Sequence, residues 1–269
     1  MRFYPERNLL VSCSHDTTVK MWNMNDLNAP IQIFKHDNES YAFEFLNANT
    51  MATGSWDNTV KIWNITNGIL IRTINIDSHV NCIKKVSNRQ IAVGSNLNDI
   101  KLYTYTNGKL GRTLKGHTNV VNDLELLGDD MLASASDDST IIIWRVKDGA
   151  ILFYLRGHSA SVSTLKFIES SQLLLSSSED KLVKIWNIQT GKLKITLKDH
   201  EDQAHWSIDF IPKYNDAKEA VILFVGELAG KVSFWELYSN RSTKLNTIRI
   251  NEGMWALTAL GIKSKLRDF

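Results

Sequence analysis

The sequence predicts an all-β fold of repeated four-stranded units, on three observations. A short motif recurs at an almost constant period. The apolar runs are brief and rich in β-branched and aromatic residues. Asn, Asp, Ser and Gly punctuate them every five to eight residues.

The period comes from near copies: Thr18-Val19-Lys20-Met21-Trp22-Asn23, Thr59-Val60-Lys61-Ile62-Trp63-Asn64 and Leu182-Val183-Lys184-Ile185-Trp186-Asn187. Thr140-Ile141-Ile142-Ile143-Trp144 is a fourth member, and Ile100–Tyr103 and Lys231–Trp235 are weaker ones. The aromatic positions Trp22, Trp63, Tyr103, Trp144, Trp186 and Trp235 stand 41, 40, 41, 42 and 49 residues apart. The last interval is lengthened by Lys213–Ala220, which reads as a solvated loop on the face away from the expected site.

Unit 4 shows the elements in order. Val120–Leu126 is a strand closed by Gly128-Asp129-Asp130, and Met131–Ser136 is a second, closed by Asp137-Asp138-Ser139. Thr140–Trp144 is the third, and Lys147-Asp148-Gly149 turns the chain into Ile151–Leu155. Turn residues at this density rule out helices. One such blade cannot bury both its faces, so blades must stack radially into a β-propeller. The expectation is one domain over residues 1–269, with six recognisable blades and the opening of a seventh at Met254–Leu260. The first unit is clipped at Met1–Tyr4 and the ring is expected to be incompletely closed. Either the chain is a fragment of a longer one, or an oligomer or partner covers the gap.

Composition fits this reading. Hydrophobic residues make up 43% and charged residues 22% of the 269, the balance of a folded water-soluble domain. No apolar run reaches the ~20 residues of a spanning helix, and the N-terminus is too polar for a secretory signal. A formal charge of +2 gives no argument for nucleic acid or a membrane as partner. Two cysteines, Cys13 and Cys82, cannot staple a chain this long. They read as small hydrophobes in a reducing, intracellular setting, cytoplasmic or nuclear.

With these motifs the sequence resembles the WD40 repeat family. His36, His117 and His158 precede Trp63, Trp144 and Trp186 by 27, 27 and 28 residues, and Gly116 and Gly157 precede two of the histidines. Asp16, Asp57, Asp138 and Asp180 each stand six residues before a Trp. The resemblance implies hydrogen-bonded tetrads of Asp, His, Ser or Thr, and Trp: His36/Asp57/Trp63, His117/Asp138/Trp144 and His158/Asp180/Trp186. The hydroxyl comes from Thr53 or Ser55, Ser134 or Ser136, and Ser176 or Ser178. Unit 3 departs, with Leu97 for Asp and Tyr103 for Trp. Its His79 lies three residues too close to Tyr103 for the tetrad. Unit 6 has Ala229 at the Asp position. Both units are expected to be held by packing alone and to be softer.

Catalysis finds no support. The Asp–His–Ser sets recur blade after blade, and an active site occurs once. His200 and His205 lack any metal-ligand pattern, and no phosphate loop or nucleophile elbow is present. No cofactor and no metal is expected. The functional candidates lie instead in two aligned columns. The inner-strand column holds Tyr41, Asn81, Asn122, Ser163, Trp206 and Trp255; the residues before the tetrad Asp are His15, Trp56, Asp137 and Glu179. The resemblance places both on the upper face, at the mouth of the central channel. Tyr41, Trp56, Asn81, Asn122, Asp137, Glu179, Trp206 and Trp255 are therefore the expected partner-binding residues. Trp56 is expected to be a solvent-exposed turn residue whose loss spares stability. The function read from this is a non-catalytic scaffold for a partner peptide or loop, with a basic segment favoured by Asp137 and Glu179. A substrate receptor for a cullin-type ubiquitin ligase is disfavoured because no unit carries Trp-Asp-x-Arg. An enzyme is the remaining and least favoured alternative.

Overall fold

The structure, a computed structural model, describes residues 1–4, 7–198, 205–215, 218–227, 231–237 and 242–249. They form six separate four-stranded antiparallel sheets, each a meander of consecutive strands. These are the blades of a β-propeller. Blade 4 runs through Val121–Leu126, Met131–Ser136, Ile141–Arg145 and Ile151–Leu155, within one residue of the sequence reading.

The core lies between blades rather than within them. Val11, Met21 and Phe34 of blade 1 meet Met51 and Trp63 of blade 2. The pattern continues with Val60 and Ile62 against Ile91 and Tyr103, then Leu102 against Leu124 and Trp144. Ile143 packs with Leu165 and Trp186, and Ile185 with Ile208 and Trp235. Each strand turns alternate residues to opposite neighbours, which is why both faces of a blade are apolar. Gly54 matters to this approach: a Cβ there would stand 2.5 Å from Val80 Cγ1 of the next inner strand. The missing side chain lets blade 3 close onto blade 2.

Two sequence expectations change. Lys213–Asn215 and Lys218–Ala220 are strand rather than loop: the first two strands of blade 6, His205–Asn215 and Lys218–Glu227, stay paired out to Asn215↔Lys218. The insertion lengthens a hairpin, because paired backbone groups need no water. Blade 3 is not held by packing alone either. Asn98 Nδ2 donates to the His117 carbonyl at 3.1 Å, linking it to blade 4. Ala229 lies outside the described residues. Blade 1 begins with Arg2–Tyr4, a strand of three residues.

Candidate functional site

The tetrads set the frame. His36 Nδ1 is 2.8 Å from Asp57 Oδ2 and its Nε2 is 2.7 Å from Thr53 Oγ1, while Trp63 Nε1 donates to Thr53 at 2.8 Å. His117, Asp138, Ser134 and Trp144 repeat this at 2.8, 2.7 and 2.8 Å. His158, Asp180, Ser176 and Trp186 do so at 2.7, 2.8 and 2.9 Å. The hydroxyl is thus the first of each candidate pair. One proton order satisfies every group: Nδ1–H donates to carboxylate, and the hydroxyl accepts from indole and donates to Nε2. That order needs a neutral imidazole. Burial holds His36 and His117 below the usual histidine range even beside a carboxylate. Burial pushes the Asp138 carboxyl up, but hydrogen bonds from Thr140, the Thr118 N–H and His117 bring it below its ordinary value. Ser134 and Ser176 are fully buried, out of reach of a substrate.

Each tetrad Asp fixes a turn on the upper face, and the residue before it is clamped to its own inner strand. The N–H groups of Trp56, Asn96, Asp137 and Glu179 donate to the carbonyls of Glu39, His79, Val120 and Ser161 at 2.9, 3.1, 3.0 and 2.9 Å. The two sequence columns therefore meet in pairs within a blade. Tyr41 stacks on Trp56 with centroids 4.5 Å apart and planes at 20°. Asn81 Nδ2 donates to Asn96 Oδ1 at 2.9 Å, and Asn122 Nδ2 to Asp137 Oδ1 at 2.7 Å.

A third column, missed in the sequence, joins the blades. The turn residue of one blade meets the residue preceding the inner strand of the next. Trp56 stacks on His79 at 5.0 Å and 17°, Ser161 donates to Asp137 at 2.5 Å, and His15 lies 3.9 Å from Glu39. The signal was available: Glu39, His79, Val120 and Ser161 recur at the repeat period. The outcome on the upper face is an aromatic ladder across three blades. His15 tilts against Tyr41 at 5.2 Å, with Tyr41 Oη 3.2 Å from His15 Nε2. Tyr41, Trp56 and His79 follow as a continuous stack, and Trp56 Nε1 donates to Asn81 Oδ1 at 3.2 Å. Burial and the nearby Glu39 push the Tyr41 hydroxyl up, keeping it a donor.

These contacts correct several expectations. Trp56 is half-buried between two rings instead of exposed. No slot remains between Tyr41 and Trp56 for a cation. Asn81 and Asn122 stitch neighbouring blades, since their amides also reach the Val121 and Val162 carbonyls of the next blade at 3.3 and 3.0 Å. Asp137 is held by Asn122 and Ser161. Glu179 and His15 remain exposed. Trp206 lies in the inner strand of blade 6, and Trp255 and His200 lie outside the described residues.

Among the described residues no group of His, Cys, Asp and Glu is arranged to hold a metal. No helix there is long and apolar enough to cross a membrane. Both cysteines are free thiols. Burial pushes each above the ordinary thiol range, which disfavours the nucleophilic thiolate.

Comparison with known proteins follows the same lines. The model of the WD domain, G-beta repeat, matches residues 1–23, 30–64, 108–145 and 149–187, half of the chain. No match covers 65–107, which hold Leu97 and Tyr103, or 188–269. Apoptotic protease-activating factor 1 of Danio rerio is 25% identical over 173 residues, 64% of this chain and 14% of that protein. The WD repeat-containing proteins pop2 and pop1 of Schizosaccharomyces pombe are 44% and 39% identical over 54 and 59 residues. Those stretches cover 20% and 22% of this chain and 8% of each relative, so the chain spans only a small part of the proteins it matches. The crystal structure of the computationally designed Ika8 protein superposes with a TM-score of 0.73 at 23% identity, over 93% of this chain and 74% of that one. That likeness concerns the fold alone.

Proposed function

The chain belongs to the WD40 repeat family, and on that footing we propose that it is a non-catalytic protein-interaction scaffold whose upper face holds a peptide or loop of a partner. The observation that carries this is the ladder of His15, Tyr41, Trp56 and His79. Stacked rings locked by Asn81 form a preorganised platform, so a partner loses little entropy in ordering it. Exposed Glu179 and half-buried Glu39 give this face negative charge, which favours a basic segment lying across the ladder's outer edge rather than between its rings. The buried tetrad hydroxyls and the raised thiols support the non-catalytic part of the reading. Two unbridged cysteines support a reducing, intracellular setting.

The test compares affinity capture by the native chain with capture by His15→Ala/Glu179→Lys on the upper face and by Lys147→Ala in a turn at the opposite ends of the strands. Partners lost with the first variant and kept with the second support the assignment. Partners lost only with Lys147→Ala would move the site to the other face.

A further inference from the structure

Six charged residues occupy one position of the repeat. Glu44, Lys84, Glu125, Lys166 and Asp209 directly follow the inner-strand residues Phe43, Ile83, Leu124, Leu165 and Ile208. Strand register confirms the equivalence: they pair with Ala52, Ala92, Ala133, Leu175 and Phe224, each one step from the tetrad hydroxyl or its counterpart. Arg2, opposite Val11, holds the same place in blade 1. In blade order the signs run plus, minus, plus, minus, plus, minus.

Three neighbouring pairs of these side chains come together. Arg2 Nη1 is 3.2 Å from Glu44 Oε2, Lys84 Nζ is 2.6 Å from Glu125 Oε2, and Lys166 Nζ is 3.9 Å from Asp209 Oδ1. Fields reach beyond these pairs. Burial alone would lower the Lys84 ammonium, but Glu125 and then Glu44 hold it above its usual range. Burial likewise raises the Glu125 carboxyl, and Lys84, Lys166 and Arg2 overcome that. Arg2 feels Glu44, Glu125 and Asp209 together. All but Arg2 are at least three-quarters buried. Charges this poorly solvated are tolerated only with opposite charges on their flanks, and alternation supplies those flanks to every member.

Arg2 stands where hydrogen bonding is thinnest. Arg2–Tyr4 pairs with its neighbour through three residues, whereas Val80–Lys85 and Ser40–Asn47 pair through five and six. We propose that the six residues form a single girdle of alternating sign that acts as an ionic latch, fixing Arg2–Tyr4 as the innermost strand of blade 1. Three independent salt bridges would account for the close pairs; a girdle also makes each charge depend on both neighbours.

Hydrogen exchange of the full chain separates the two views. Arg2→Glu should speed exchange at the Leu9–Cys13 amides about tenfold or more, leaving Met131–Ser136 in blade 4 unchanged. Adding Glu44→Lys restores the lost pair but sets a cation against Lys84 and leaves the carboxylate introduced at position 2 facing Asp209. The girdle therefore predicts no better protection for R2E/E44K than for R2E/E44Q. Recovery of native protection in R2E/E44K would show independent pairs and overturn the proposal, as would unchanged exchange in R2E. Should R2E fail to fold, Arg2→Gln removes the cation alone, and protection at Leu9–Cys13 must then fall by the same criterion.

Discussion

His79 lies flat against Trp56, rings 5.0 Å apart and 17° from parallel, although the two belong to different blades. His79 is three residues out of register for a tetrad, and that displacement sets it at the lip of blade 3, where Trp56 reaches it. Its Nδ1 stands 3.3 Å from Asn96 Nδ2, so Asn81, Asn96, His79 and Trp56 close one polar loop around the stack. Removing Trp56 therefore has a structural effect as well as any effect on binding. Trp56→Ala loses two ring contacts and an indole hydrogen bond, and is expected to destabilise by about 1–3 kcal/mol. His15→Ala, at the exposed end, should stay within ~0.5 kcal/mol. Urea denaturation of both variants checks the contrast, and equal losses would contradict it.

Asp138→Ala should destabilise by about 1–3 kcal/mol, because His117, the Thr118 N–H and Thr140 all lose their acceptor. Leu97→Asp in blade 3 should bring no matching gain, since neither a tetrad His nor a Trp awaits it. Thermal melts of the two variants side by side read this out; opposite shifts of similar size would show blade 3 to be misaligned.

Thr17 has φ of 71°, the conformation that Asn58, Ser139 and Lys181 share at the same turn of their blades. A β-branched residue is strained there, and Asn is among the side chains that tolerate it best. Thr17→Asn should raise stability by about 0.5–1 kcal/mol, while Asn58→Thr should lower it by a similar amount. A decrease for Thr17→Asn would mean that the Thr17 side chain makes a contact worth more than the strain.

Burial pushes the Asp123 carboxyl up to about 6, with Glu125 adding to it and the Leu165 N–H, Lys166 and Lys84 opposing. The native state then holds this proton more tightly than the unfolded chain. Its destabilising charge is absent below about pH 4, grows as pH rises from about 4 to about 6, and is complete above. Asp123→Asn should accordingly gain about 1–3 kcal/mol relative to the native chain between about pH 4.5 and pH 7.5. A difference independent of pH would place the proton elsewhere.

Much of the fold was legible because its determinants repeat. A Trp at a period near 41, an Asp six residues before it and a His 27 before it name a blade without reference to its neighbours. The site was legible only in part. Tyr41 and Trp56 stood out as aromatics in aligned columns, but the amides of Asn81 and Asn122 are shared between a turn of their own blade and a carbonyl of the next, which no single unit displays. The charges of the girdle carry no motif that singles them out. Their meaning lies in sign order around an axis, which no single unit displays. Lys213–Ala220 was polar enough to pass for a loop, and only the pairing of Lys213–Asn215 with Lys218–Ala220 assigns those residues to strands.

Among the described residues no β-ladder crosses from one blade to the next; what spans the boundary between blades 2 and 3 on the upper face is a pair of rings and the indole hydrogen bond from Trp56 to Asn81. A gap of about 0.5–1 Å already forfeits roughly a quarter to a half of the dispersion attraction between two surfaces. A slight rotation of one blade against the other would part Trp56 from His79 while every sheet stayed intact. On the function proposed above, a partner resting on that stack would meet the spacing of neighbouring blades as well as the chemistry of a loop. In that role the stack would act as a caliper for the gap between blades 2 and 3.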